Sequence, residues 1–556
     1  MTNGTPQEGP LSFREGHGMK FLLLDAVYLL LVMGWTVVLP PMGRDLEWLA
    51  GKYPEDLFFT WWRLLGGESV PAPVYHVVAL LLLYLCMVLV FFLTRLATRG
   101  PWWLGSVAAV VFMAHPVKAE AVLMLSGATL ELIPTAACLG GLLMYATRPL
   151  SRGKGLVWDA GTMALLVVGA GFVHGGTGAG LTVLALPFLW DAFVVPRGER
   201  GGFRPVRALL ALFLLLSAAG FCAWVVFFEV VPTLTDVLSL CAHPFAAVGL
   251  LLYPLGILPE TRAALETHPA LAAAGVLAAG GLGIWVVSRA KSPALSLGLL
   301  SVGVLSLWNG LSRILALASF YPDPPGLFGL PLTWPVDPVH FANGGRLTLA
   351  TAFMGIAAAG VFAALLRHPR WRKPAVALST ALCVGLMVLH GIVNLQWVSA
   401  GQRLREFRRT AEALAAQHPG ETLVVAPDIG YAGFAPLFYA RSVSQDTPFG
   451  PALDVRALAW CDVEYPAAKV AVTEYSPDGF AFTVTQPYPP EVRTAEGVEA
   501  ASTPPAPPRV GLFDLRPRVF YAPKKAHAFS FQLADAPFPA VRIPLPGEAP
   551  PEAAAP

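Results

Sequence analysis

The sequence predicts a mainly α, polytopic helical membrane protein with a soluble α/β or α+β domain at its C-terminal end. Three observations predict this. Of the 556 residues, 55% are hydrophobic and only 13% are charged, against about 25% charged in a soluble globular chain. Apolar runs close to the ~20 residues needed to cross a bilayer recur from Phe21 to Trp397. Beyond Trp397 the chain turns polar and mixes a charged helix with short strand-like pieces.

The first apolar run, Phe21 to Pro40, has the length of a span and no small-residue cleavage site after it. It is expected to remain as a signal anchor behind a cytoplasmic segment, 1–20. Asp25 lies near its start, where a carboxylate is expected to reach the interface. The bilayer centre would cost an Asp about 2.5–3.5 kcal/mol. Further spans are expected at 74–94, 102–114, 129–147, 156–174, 177–195, 206–228, 269–288, 293–318, 346–366 and 374–397. The stretch 229–268 holds a shorter apolar run, Ala246 to Leu258, interrupted by Pro254 and closed by Pro259, and reads as re-entrant or interfacial.

Charge places these spans. With the N-terminus in the cytoplasm, the inner loops collect Arg95 and Arg99; Arg148, Arg152 and Lys154; Arg197, Arg200, Arg204 and Arg207; Arg289 and Lys291; and Arg367, Arg370, Arg372 and Lys373. The outer loops carry few cations, such as Lys118 and Arg262. The bias favours about eleven spans, N-in and C-out, over a transmembrane part of 21–397. Residues 398–543 are then expected to form an extracytoplasmic domain, opened by a helix bearing Arg403, Arg405, Arg408 and Arg409 and followed by a short apolar strand, Thr422 to Asp428, ending at a turn, and by strand-like pieces such as Lys469–Thr473 and Phe480–Thr485. Pro504–Pro508 reads as a linker and 544–556 as a disordered Pro/Ala tail. Trp61, Trp62, Trp102 and Trp103 read as interface anchors.

Several functions are excluded at this level. A net charge of +2 with no basic run argues against a nucleic-acid partner. None of the six cysteines makes a CxxC pair, and Cys461 alone lies beyond Trp397, so that domain holds no internal disulfide. No Gly-rich phosphate loop follows the strand from Thr422 to Asp428.

The candidate chemistry sits in the outer loops. Asp45 and Glu47 follow the first span, where a carboxylate can take a proton from an acceptor hydroxyl or bind a divalent cation such as magnesium or manganese. The plainer reading is a solvated loop. The second outer loop gathers His115, Lys118 and Glu120 before Ser126-Gly127. Its plainer reading is a helix boundary, with Pro116 at the first turn and Glu120 favoured by the dipole. His174 lies at the outer end of a span and Arg346 opens another. Arg313, inside an apolar run, must face protein or water.

These segments resemble a family. His115-Pro-Val-Lys-Ala-Glu-Ala-Val122 followed by Ser126-Gly127 is similar to the HPVHxEAVAWISGRxDLL segment of polytopic GT-C glycosyltransferases of the transmembrane O-mannosyltransferase type and their bacterial relatives. Pro73-Val-Tyr-His76, Leu250 to Pro259 and Arg346 resemble further elements of that family in the same order, across about residues 20–400. The resemblance implies transfer of a sugar from a polyprenyl-phosphate donor to a protein or glycan acceptor on the outer face. It implies Asp45 as the base, Arg346 on the lipid phosphate, and His115 and Glu120 organising the site. A bacterial plasma membrane is the expected location.

The sequence also departs from the family. Asp45-Leu-Glu47 replaces an acidic pair, Ser126-Gly-Ala-Thr-Leu-Glu-Leu132 lacks the arginine, and His174-Gly-Gly-Thr-Gly178 replaces a Ser-Lys-Glu element. These losses point equally to a changed substrate or to a catalytically inactive scaffold of the envelope. A transporter ranks below both, for want of intramembrane charge and of a two-fold repeat.

Overall fold

The computed structural model describes residues 17–43, 45, 72–127, 131–148, 152–171, 180–195, 206–212, 214–216, 292–305, 347–427, 431–432, 435–437, 455–457, 469–476, 479–485, 518–523, 526–533, 537 and 539–545. Glu47, Trp61, Trp62, His174, Arg313, Arg346, Cys461, the stretch 229–268, the expected span 269–288, the Pro504–Pro508 linker and the segments 1–16 and 546–556 lie outside the described residues.

The described chain is mainly helical. Its principal helices are α1 (His17–Met33), α2 (Ala72–Thr98), α3 (Trp103–Ala114), α4 (Ile133–Ala146), α5 (Arg152–Gly171), α6 (Leu186–Phe193), α7 (Pro293–Leu305), α8 (Thr348–Leu366) and α9 (Arg372–Gln417). Among the described residues four stretches are long and apolar enough to cross a membrane: Gly18–Val38, Ala72–Thr98, Thr348–Leu366 and Pro369–Gln417. The remaining expected spans, where described, are shorter apolar helices.

Local chemistry sets the boundaries. Pro73 sits in the first turn of α2, where its missing N–H is not needed. The helix stops where Arg99 takes a left-handed φ of 51°, its N–H bonded to the Arg95 carbonyl at 3.0 Å, before Gly100-Pro101.

Helix α3 has only 12 residues, about 18 Å of rise, yet every residue from Leu104 to Ala114 is buried. It packs against α1, α2, α8 and α9. A helix that is apolar all round is buried either in lipid or in protein, and here other helices surround it. Its shortness means that the loop it feeds begins within the bundle. Trp102, expected as an interface anchor, stacks on Phe91 at 5.8 Å and lies under the Arg95 guanidinium at 4.4 Å.

Small residues let the helices meet. A Cβ on Gly355 of α8 would fall 2.4 Å from the Ala108 carbonyl oxygen of α3, and one on Gly360 would fall 2.4 Å from the Leu295 nitrogen of α7. Such close backbone crossings hold helices together where lipid removes the hydrophobic drive. Gly355→Ala is expected to lower stability by about 1–3 kcal/mol, read as a lower thermal midpoint in detergent. Gly385→Ala on α9, where nothing lies within 4 Å, serves as the control and should lose nothing.

Asp25 does not reach the interface as expected. It is 2% exposed and accepts a hydrogen bond of 3.1 Å from the Ser106 hydroxyl of α3. Because α1 packs on α3, the carboxylate finds a protein donor in place of water.

Helix α9 runs unbroken for 46 residues, about 69 Å, more than twice the ~30 Å hydrocarbon core. Between Val376 and Leu395 its exposed residues are apolar apart from Thr380, and from Gln402 they are mainly polar, with Arg405, Arg408 and Arg409 in solvent. The change of composition after Trp397 therefore falls inside one rigid rod. On the other face Trp397, Ala400, Leu404, Phe407 and Ala411 are buried at three- and four-residue spacing.

That stripe meets the C-terminal strands. Strands β1 (Thr422–Pro427), β4 (Val455–Ala457), β8 (Ala526–Phe531) and β9 (Ala540–Ile543) form a mixed sheet in the order β4-β1-β8-β9, with β1 parallel to both neighbours. Strands β5 (Lys469–Ser476), β6 (Gly479–Thr485) and β7 (Arg518–Pro523) form an antiparallel sheet, and β2 (Tyr431–Ala432) and β3 (Ala435–Pro436) a small hairpin. Phe407 of α9 packs on Phe531 of β8, ring centroids 4.7 Å apart and 66° inclined. Arg403 donates to the Leu533 carbonyl at 2.5 Å.

Candidate functional site

The loop after α1 begins by turning back onto the bundle. His76 of α2 bonds the Leu39 carbonyl at 3.2 Å, and Gly401 of α9 gives Pro40 room to pack. Gly43, at φ 57°, donates its N–H to the Leu437 carbonyl at 3.1 Å, tying the loop to the C-terminal part. A side chain at this position would be strained.

Asp45 follows at once and is 1% exposed. Its Oδ2 accepts the Leu125 N–H at 2.9 Å and the Met42 N–H at 3.4 Å; its Oδ1 accepts the Ser126 N–H at 2.7 Å. The carboxylate thus staples the first loop to the Ser126-Gly127 turn of the second. Burial pushes its carboxyl above the ordinary range, while the backbone donors pull the other way. Both oxygens face N–H groups, the opposite of what a divalent cation requires of its ligands.

The second loop is equally enclosed. His115, at the C-cap of α3 with φ −69° and ψ 119°, is extended as the residue before proline must be, and is 2% exposed. Lys118 is fully buried. Its ammonium donates to the Met113 carbonyl at 2.5 Å and lies 5.2 Å from the Phe112 ring centroid. It caps the C-terminus of α3, where open carbonyls and the helix dipole favour a cation. Glu120 lies in the short helix Ala119–Leu123, its side chain outside the description.

Helix α9 adds residues that the sequence analysis did not single out. His390 Nε2 sits 3.1 Å from Met33 Sδ, and Asn394 Nδ2 donates to the Val32 carbonyl at 3.2 Å. Helix α9 also packs against the second loop at Pro116–Lys118. The signal was available: polar residues four apart in an apolar run share one helix face and must find protein partners. His390 precedes the last exposed leucine, Leu395, by five residues, so it lies about 8 Å deeper along the axis. The second loop is therefore sunk into the bundle. His115 and Lys118 are buried in protein rather than exposed at a loop surface.

At the other ends of the helices, Arg207 pairs with Asp191, which also accepts from the Tyr145 hydroxyl, and Arg148 pairs with Asp159 at 2.8 Å. Both cations are thus held by carboxylates of neighbouring helices.

Among the described residues one set of three side chains has the composition and spacing of metal ligands: His418, Glu421 and His527. His527 Nε2 lies 2.5 Å and His418 Nδ1 3.5 Å from Glu421 Oε2. It stands where α9 enters the sheet, away from Asp45 in sequence and in contacts. Comparison of the chain with known protein families, with curated proteins and with solved structures gives no match.

Proposed function

We propose that the protein is a multi-pass membrane glycosyltransferase of the GT-C type. It takes a sugar from a polyprenyl-phosphate carrier and passes it to an envelope or exported acceptor on the outer face of a bacterial plasma membrane. One observation carries the reading: Asp45 closes on Leu125 and Ser126, joining the first outer loop to the segment that bears the family resemblance. The bond from Gly43 to Leu437 lays the C-terminal part against the same loop.

In this reading the roles differ from those the resemblance implies. Asp45, with both oxygens engaged, positions the loops. Glu47, two residues further on, is the other member of the Asp45-Leu-Glu47 pair and is left to take the acceptor proton. Arg346 holds the donor phosphate, since a guanidinium matches its charge and geometry. A second reading, a non-catalytic scaffold with the same fold, is favoured by the full burial of Asp45 and Lys118.

An assay of sugar transfer from a panel of polyprenyl-phosphate donors separates the two. Glu47→Gln is expected to reduce kcat by about 10²–10⁴-fold while leaving the thermal midpoint in place. Turnover equal to wild type in Glu47→Gln would remove the proposed base. No wild-type turnover with any donor would leave the scaffold.

A further inference from the structure

We propose that His418, Glu421 and His527 form a zinc site that locks the outer end of α9 to the central strands of the C-terminal sheet. The three residues come from three supports. His418 caps the C-terminus of α9, Glu421 stands one residue before β1, and His527 lies in β8, paired with Leu423 across the parallel β1–β8 register. The turn between the first two is closed by the Glu421 N–H on the His418 carbonyl at 3.2 Å, with Gly420 at φ 75°. That closure puts residues three apart on one side of the turn.

Donor geometry and chemistry both fit. One ligand atom from each residue lies within 4.8 Å of the others. The distances from Glu421 Oε2, 2.5 Å to His527 and 3.5 Å to His418, bracket the ~3.3 Å between donors of a tetrahedral zinc with ~2.0–2.1 Å bonds. Opening the shorter pair by about 1 Å admits the ion. Two imidazoles and one carboxylate are a zinc set; magnesium and calcium take all-oxygen ligands. The side chains are 27%, 33% and 17% exposed, so a fourth position opens to water.

The two rings stack with centroids 3.8 Å apart and 27° inclined, which keeps both within reach of the one carboxylate; binding one ion requires a ring to turn out of the stack so that each nitrogen lone pair aims at the metal. Nδ1 of His527 is buried without a hydrogen-bond partner among the described residues. The site rests on the C-terminal geometry alone and is independent of the proposed sugar transfer.

The test uses the full chain in detergent, purified through a histidine-free tag, stripped with chelator and titrated calorimetrically with zinc chloride. One equivalent of zinc is expected to bind, magnesium chloride is not, and zinc should raise the thermal midpoint. His527→Ala and Glu421→Gln should each weaken zinc binding by at least the ~100-fold upper range seen when only an orienting partner of a ligand is lost. Glu421→Gln keeps a side chain of the same shape, so it reports on the site even where His527→Ala fails to fold. Absence of stoichiometric zinc uptake by the wild-type chain, or uptake unchanged in Glu421→Gln, overturns the proposal.

Discussion

Asp45→Ala is expected to release the second outer loop from the first and to lower stability by about 2–5 kcal/mol. The substitution leaves the N–H groups of Leu125, Ser126 and Met42 without their acceptor. A buried donor stripped of its partner costs about 1–3 kcal/mol. Relief from burying a carboxylate offsets part of the sum, because burial already pushes the Asp45 carboxyl up. The measurement is the thermal midpoint in detergent together with limited proteolysis across the second loop. Asp45→Asn should fall between, since one carbonyl oxygen still accepts while the amide meets a second N–H head on. A wild-type midpoint and an uncut loop in Asp45→Ala would sink the stapling role and return Asp45 to the pool of candidate bases.

Phe407→Ala should undock the C-terminal sheet from α9. Phe407 is 1% exposed and Phe531 fully buried, and the pair sits at the centre of the stripe from Trp397 to Ala411. Removing a buried phenylalanine costs about 3–5 kcal/mol. The loss should be local. Amide deuterium exchange is expected to rise in β1 and β8 while α1, α2 and α3, which pack on one another, stay protected. Arg409→Ala removes an exposed pair with Glu406, worth less than about 1 kcal/mol, and is the matched control. Exchange rising equally in the helical bundle would mean that bundle and sheet unfold as one unit.

Particular residues show where sequence reasoning worked and where it failed. The helices were legible because a run such as Ala72–Thr98 carries its own signal: uninterrupted apolar residues, a proline at the start and Arg-Gly-Pro at the end. Segment 102–114 reads as a short span and is a short apolar helix; that other helices enclose it is not legible, because its all-round hydrophobicity is the same whether the neighbours are lipid or protein. Lys118 drew notice as a site cation. Its use as a helix cap depends on how the chain turns back after Pro116. The His418–Glu421 turn was not noticed, since its third member lies 106 residues away.

Composition and run length belong to the chain itself. They were enough to identify a helical, membrane-type protein with a strand-bearing C-terminal part, because the free energy of moving a segment into lipid is nearly a sum over its residues. Asp45 meeting Ser126 across 81 residues, α3 enclosed by four helices, and α9 running straight from the bundle into the sheet were decided by packing. A carboxylate has the same local signature in an open loop as in a buried staple. Only the fold determines which donors surround it, and those donors determine whether it is free to act on a substrate.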